Sequence, residues 1–487
     1  MNRVLAIDFG ASSGRAVLGE FDGEKITLTE IHRFSNDPVI LSGTMYWDVL
    51  RLFHEIKQSL IKAKEYGEVE SIAIDTWGVD FGLLDKDGRL LENPVHYRDS
   101  RTNGMAEYSK TLVPAEKLYE KTGIQIMEIN TAFQLLSLVK DRPELLQRAD
   151  RLLLMPDLFS YFLGGEAVAE TSIASTTQLF DAKAKDWSDE IINALGIKLT
   201  LFPKVVKSGT VTGTLSPALC EELGIKPAKI IAVCGHDTQS ALAAVPAEEK
   251  DFAFLSCGTW SLLGTELDSP VIAEGSARLN VSNETGFADK TSFLKNIIGL
   301  WLIQESRRQW MREGKQYSFA ELEDMAKAAK PFMCFIDPDA PEFTPAGNIP
   351  QRIREYCERT NQYVPQSVGE IMRCIYESLA LKYRSAIAEL EQCTGKSFKK
   401  LYMVGGGTKD KFLSQLAACA CKIEVSSGPV EATSLGNIAV QLISGGAIKD
   451  LSQARRIVKN SEPVITFTPS DTDEWDRAYE RFIKVTC

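Results

Sequence analysis

A single carboxylate, Asp237, lies between a histidine and a threonine in Gly235-His236-Asp237-Thr238. The apolar run Ile230 to Val233 before it reads as a buried strand, and the small residues Ala241 to Val245 after it could open a helix. A carboxylate on such a turn can take a proton from a hydroxyl, although the same residue could serve as a helix cap or turn former. A second stretch suited to chemistry is Asp8-Phe9-Gly10-Ala11-Ser12-Ser13-Gly14-Arg15. Its glycines let the backbone turn tightly against a ligand. Its amides and hydroxyls can donate to phosphate oxygens, and Arg15 adds charge. Asp8, at a strand end, could hold a magnesium ion through water. A plain Gly/Ser hairpin remains the alternative.

Further along, Asp75-Thr76-Trp77-Gly78-Val79-Asp80-Phe81 places two aromatics around a glycine and carboxylates, a combination suited to the C–H faces and hydroxyls of a sugar. A strand end with core aromatics is the competing reading. Ser256-Cys257-Gly258-Thr259-Trp260-Ser261 is a second polar turn between strands, and Gly405-Gly406-Gly407-Thr408 would let a flat base or ribose lie against backbone. There is no Gly-x-x-x-x-Gly-Lys-Ser/Thr, so a P-loop is not supported.

The elements that must position these residues follow from apolar spacing. Val4 to Ile7 and Arg15 to Phe21 read as strands, Asp22-Gly23 as a hairpin turn and Ile26 to Ile31 as a third strand. The spacing of Val49, Leu52, Phe53, Ile56 and Leu60 predicts a helix, and Val69 to Ile74 returns as a strand. This meander followed by a crossover is not the order of a dinucleotide-binding fold. Residues 104–230 read as helical insertions with short strands. Phe252 to Leu255, a polar turn and Leu262 to Glu266 repeat the opening pattern, which suggests an internal structural duplication. Leu294 to Trp310 reads as one helix carrying Asn296 and Gln304. Ser367 and Glu370 form a capping-box pattern before a long amphipathic helix, and Leu401 to Val404 reads as a buried strand.

The chain has 487 residues, 44% hydrophobic and 25% charged, enough for two domains and against bulk disorder. The net charge of −11, with no concentrated Lys/Arg block, disfavours nucleic acid or an anionic membrane as partner. No apolar run reaches the ~18 residues of a membrane span, and no signal-peptide core opens the chain, so a cytoplasmic location is expected. Ten scattered cysteines without Cys-x-x-Cys, and only four histidines, argue against a zinc site. A disulfide between Cys357 and Cys374 would be unusual in that compartment.

Taken in order, Asp8 to Arg15, Ile74 to Phe81, Tyr97 to Thr102, His236 to Thr238, Leu255 to Leu263, Leu294 to Gln304, Val404 to Gly407 and Gly428 to Asn437 resemble the FGGY family of carbohydrate kinases along essentially the whole chain. His-Asp-Thr, where other branches carry Gly-Asp-Gln or Gly-Asp-Asn, points to the branch acting on L-rhamnulose. The resemblance implies an α/β, two-domain actin-like ATPase fold with RNase H-like cores and a central cleft. It divides the chain into residues 1–245 (sugar site, phosphate loop, catalytic Asp) and 246–487 (adenine nucleotide site). It implies that Asp237 is the catalytic base. Gly78, His236, Asp237, Thr238 and Asn296 would bind substrate. Ala11, Ser12, Ser13, Gly14, Arg15, Thr259, Gln304 and Gly406 would bind ATP. Asp8 would be the carboxylate associated with Mg2+. The reaction expected is phosphoryl transfer from ATP to the 1-hydroxyl of a small ketose. L-fuculose or a ketopentose remains as the rival substrate, and an actin-like ATPase or filament protein as the rival of another class. Oligomeric state is left open.

Overall fold

The computed structural model describes residues 1–486, which divide into two compact units. The first comprises Met1–Glu248, Glu266–Phe293 and Ala432–Glu462; the second comprises Glu249–Thr265, Leu294–Glu431 and the chain from Pro463 onward. The units are therefore discontinuous in sequence. The helix Ala432–Ser444, for instance, belongs to the first unit, where Asn437 and Gln441 bond to strands near the N-terminus.

In the first unit, six strands form one sheet in the order Thr210–Thr214, Lys229–Ala232, Ser71–Thr76, Asn2–Phe9, Ser13–Phe21, Ile26–Ser35. Asn2–Phe9 pairs antiparallel with Ser13–Phe21 and parallel with Ser71–Thr76, bringing Asp8 opposite both Arg15 and Asp75. Lys229–Ala232 runs parallel to Ser71–Thr76. Both faces are covered, as near-continuous apolar strands require. Leu5, Ile7, Ile72, Ile74 and Ile230 share one core with Leu52, Ile56 and Leu60 of the helix Val49–Ala63. Ala73 and Ile231, alternating with them, share another with Val440 of the helix Ala432–Ser444. Gly436 on that helix is obligatory, because a Cβ there would lie 1.7 Å from the Ser240 carbonyl oxygen.

The second unit repeats the opening order. A hairpin of Ala253–Cys257 and Trp260–Leu267 is followed, after long helical insertions, by Lys400–Val404 parallel to the first hairpin strand, then Glu424–Ser427 and Ile465–Phe467. The 27-residue helix Val368–Thr394 begins at the expected capping box: Ser367 accepts from the Glu370 amide, and Glu370 accepts from the Ser367 amide. The helix expected from Leu294 to Trp310 divides in two. Thr291–Ile298 is a strand, and the helix spans Trp301–Arg312. Leu294, Ile297 and Ile298 have helical spacing because this strand is buried on both faces, where alternation disappears. Gly299 makes the break, since a Cβ there would lie 2.8 Å from the Ser261 amide nitrogen.

Candidate active site

In the first unit the strand ends define an edge. Asn2–Phe9, Ser71–Thr76 and Lys229–Ala232 are mutually parallel, so their C-terminal ends bring Asp8, Asp75 and the His236-Asp237-Thr238 turn to one side of the sheet. Thr76 bridges to His236, and its amide donates to the Gly235 carbonyl at 2.8 Å. Ligands of open α/β sheets collect at this edge because every loop there leaves the sheet in the same direction.

The turn that carries Asp237 is held from below. Buried Glu170 accepts from the amides of Gly235 (2.9 Å), Ser172 (2.9 Å) and Ile173 (3.1 Å) and from the hydroxyls of Ser172 and Ser208. A Cβ on Gly235 would lie 2.9 Å from Pro156. His236 follows, with Nδ1 2.8 Å from Glu284 Oε2 and Nε2 3.5 Å from Asp237 Oδ1. Gln239 fixes Glu284 with a 2.9 Å hydrogen bond. Burial alone would lower the His236 pKa, but the adjacent Glu284 carboxylate outweighs it and raises it to about 9, so His236 is an imidazolium at neutral pH. Asp237 moves the other way from its usual range. Burial, with the charge of Asp8, pushes it up to about 6 against the opposing pull of His236. Its side chain keeps 30% exposure, against 10% for His236, so Asp237 is the member of the pair that a substrate can reach. The Thr238 hydroxyl donates to Asp237 Oδ1 at 3.2 Å.

Asp8 accepts from Arg15 at 2.9 and 2.7 Å and from the Ser434 hydroxyl at 3.3 Å. The Arg15 guanidinium thus lies on Asp8, beside the phosphate-type turn. In that turn the Gly10 amide donates to the Ser13 carbonyl, Ser12 is exposed, and Gly14 leaves room for the Phe34 ring, which a Cβ would strike. Asp75 is fully buried. One of its oxygens accepts from Asn437 at 2.6 Å, and the other has no hydrogen-bond partner. Burial and the neighbouring carboxylates of Asp8 and Asp237 raise its pKa well above the ordinary value. Asp8, at the same strand edge, offers carboxylate oxygens of the hard type that a divalent cation takes.

Gly78 is half-buried on the loop after Ser71–Thr76. Val79 beside it adopts φ 68°, strained for a β-branched residue, and is held by Thr131 donating to its carbonyl at 2.6 Å and Thr176 accepting from its amide at 3.3 Å. The expected aromatic sugar platform is not there. Trp77 and Phe81 are each only 5% exposed, and the Trp77 indole N–H donates to Asp80, as does that of Trp47. Both rings are core, and Asp80 is the internal anchor that satisfies the indoles.

The second unit carries its own set at the corresponding edge, where Ala253–Cys257 and Lys400–Val404 end side by side. The Thr259 hydroxyl donates to Gln304 Oε1 at 3.3 Å, and the Thr259 carbonyl accepts from the Gly299 and Trp301 amides. The three glycines have distinct reasons. Gly405 has φ 89°; a Cβ on Gly407 would strike Cys257; a Cβ on Gly406 would meet nothing within 4 Å, and the residue is exposed. Gly406 is therefore the one a ligand can approach. Asn296 is half-buried on the strand Thr291–Ile298 rather than on a helix.

Glu284 and Glu170 were not singled out in the sequence, and Asn437 was named only as the end of the stretch Gly428 to Asn437, with no role given to it. Glu170 had a local signal, as the cap of the short helix Thr171–Ser175. The other two act on residues 48 and 362 positions away, and no spacing announces that.

Residues 3–244 match the N-terminal domain, and residues 253–445 the C-terminal domain, of the FGGY family of carbohydrate kinases. The chain is 41% identical over 479 residues to a rhamnulokinase of Bacteroides thetaiotaomicron, covering 98% of each chain. It is also 41% identical to a rhamnulokinase of Enterococcus faecalis, covering 99% of this chain and 97% of the relative. Among solved structures, a ligand-bound xylulose kinase from Lactobacillus acidophilus superposes with a TM-score of 0.84 at 17% identity, covering 100% of this chain and 98% of that one. Plasmodium falciparum glycerol kinase with ADP gives 0.78 at 18%, covering 99% and 98%. These likenesses fix the two-domain actin-like ATPase fold. With carboxylates gathered at one strand edge and the family matched in both halves, the chain belongs to the FGGY family of carbohydrate kinases and is an ATP-dependent sugar kinase.

Proposed function

We propose that the protein transfers the γ-phosphoryl group of ATP to the 1-hydroxyl of L-rhamnulose, giving L-rhamnulose 1-phosphate and ADP. The observation that carries the sugar is 41% identity over 98% of the chain to a relative named rhamnulokinase. On this reading, residues 1–245 supply Asp237, the phosphate loop and the sugar contacts other than Asn296, residues 246–487 supply those for the adenine nucleotide, and the cytoplasm, where ATP is abundant, is the site of action.

Asp237 is the base in this proposal. It orients the 1-hydroxyl and accepts its proton as the oxygen bonds to phosphorus. An ionised carboxylate with a pKa of about 6 is populated at neutral pH yet basic enough to take a proton late in transfer. The His236 imidazolium keeps Asp237 from protonating sooner and can donate to a sugar hydroxyl, while Thr238 and the backbone at Gly78 offer further polar contacts to the sugar. Asn296 completes the proposed sugar contacts. The amides and hydroxyls of Ala11 to Gly14 are proposed as donors to ATP phosphates, with Arg15 charge-paired to Asp8; Thr259, Gln304 and Gly406 receive the rest of the nucleotide. Asp8 would hold Mg2+ through water, and the ion would supply charge neutralisation to the ATP phosphates.

The test is ADP release with MgATP across a panel of ketoses, wild type beside Asp237→Asn. The proposal expects L-rhamnulose to give the highest kcat/KM and the variant to be nearly inactive. Preference for L-fuculose or a ketopentose would overturn the sugar assignment, and turnover independent of any sugar would overturn the reaction.

A further inference from the structure

Three cysteines widely spaced in sequence converge in the second unit. Cys334 lies on an irregular segment, Cys357 on the helix Ile349–Arg359 and Cys374 on the helix Val368–Thr394. Their sulfurs all lie within 4.8 Å of one another, and the residues are 2%, 0% and 2% exposed. Among the described residues this is the sole trio of His, Cys, Asp or Glu side chains so gathered. We propose that Cys334, Cys357 and Cys374 form a three-coordinate thiolate site for one soft d10 metal ion, of the copper(I) class.

The geometry suits such an ion. With metal–sulfur bonds of ~2.3 Å, the sulfurs of a trigonal site stand about 4 Å apart, within the observed bound. A structural zinc ion would ask for a fourth ligand, and the trio has none among the described residues. The site is also preorganised, although its least regular member is on a loop. The Phe332 amide donates to Glu377 at 2.8 Å, the Phe335 amide to Gln362 at 2.9 Å and the Ile336 amide to Ser378 at 3.0 Å, pinning the segment on both sides of Cys334. Gln362 returns a bond to the Phe335 carbonyl, and its amide donates to the Cys357 carbonyl at 2.8 Å. The Arg481 guanidinium donates to the carbonyls of Phe332 and Met333, which fixes the backbone immediately before Cys334. Binding replaces three S–H bonds by three metal–sulfur bonds and releases three protons to solvent, with the metal's oxidation state unchanged. Such a site escapes sequence motifs because its ligands are separated by 17 residues or more, with no Cys-x-x-Cys.

The test uses the full-length reduced enzyme, titrated anaerobically with Cd2+, a d10 probe without ligand-field bands of its own, and with copper(I) against a competing chelator. The proposal expects a thiolate-to-metal charge-transfer band that saturates at one equivalent, three sulfurs around the ion by X-ray absorption, and an affinity weakened about tenfold or more in Cys334→Ala. Cys421→Ala, outside the trio, should bind as wild type does. The X-ray absorption measurement stands on wild type alone, should Cys334→Ala fail to fold. The proposal is overturned if no saturable band appears, if the band survives in Cys334→Ala and Cys357→Ala alike, or if two of the three cysteines are isolated as a disulfide.

Discussion

Replacing Glu284 with glutamine should move the pH profile of the kinase without touching the proposed base. Glu284 is the largest influence raising His236, and the substitution removes its charge while keeping a side chain of the same shape. Returning His236 from about 9 to its ordinary 6.5 removes ~3 kcal/mol of preference for the imidazolium, and burial pushes it lower still. At neutral pH the imidazole would then be uncharged. Asp237 would lose the positive neighbour that restrains its rise, and its pKa would climb from about 6 toward neutrality. The assay is kcat/KM for ADP release from pH ~5 to ~10, where the two limbs belong to the His236–Asp237 pair rather than to either residue alone. Wild type should fall below about pH 6 and above about pH 9. In Glu284→Gln the acidic limb should shift upward and the basic limb vanish from the alkaline range. If both limbs stay at their wild-type positions, the Glu284–His236–Asp237 coupling is refuted. The sign for stability follows the same pair. His236 has a folded pKa above its unfolded one, so its contribution is full below about pH 6.5 and is lost as pH rises through about 9.

Asp237→Asn should lower kcat by ~10²- to 10⁴-fold while ATP affinity changes little, as steady-state kinetics beside nucleotide titration would register; a loss confined to KM would rule out a base. Asp75, whose carboxyl is pushed toward its neutral form, should tolerate asparagine with a stability change within ~1 kcal/mol in urea unfolding, and a much larger loss would mean its charge is structural. Gly436→Ala should destabilise the fold by ~3 kcal/mol or more, because its methyl would overlap the Ser240 carbonyl; an unchanged thermal midpoint would contradict that close approach.

What the sequence disclosed follows from the range of each interaction. The strands flanking Asp8, the helix carrying Leu52 and Ile56, and the Ser367–Glu370 cap are set by neighbours a few residues apart, and their spacing announces them. The strand Thr291–Ile298 was hidden because burial on both faces erases the period-two signal, leaving a run that imitates a helix. Trp77 looked like a sugar platform because its local context is polar, yet the partner that claims its N–H, Asp80, is shared with distant Trp47. For the candidate site, the strand-to-helix turn that carries Asp237 was legible from the apolar run before it and the small residues after it, while its catalytic role is the proposal that the resemblance supplies. The residues that tune the site were not legible: Glu284 and Asn437 reach the edge only after the sheet and the helix Ala432–Ser444 have assembled. The same holds for the three cysteines, which no linear spacing joins.

The central claim is phosphoryl transfer to the 1-hydroxyl of L-rhamnulose with Asp237 as base. It is tested most directly by incubating the enzyme with MgATP and L-rhamnulose and following the products by phosphorus NMR, with Asp237→Asn in parallel. The account predicts a phosphate monoester coupled to the C1 protons of the ketose, formed in step with ADP and absent in the variant. Inorganic phosphate in place of the ester, or an ester formed equally well by Asp237→Asn, would contradict it.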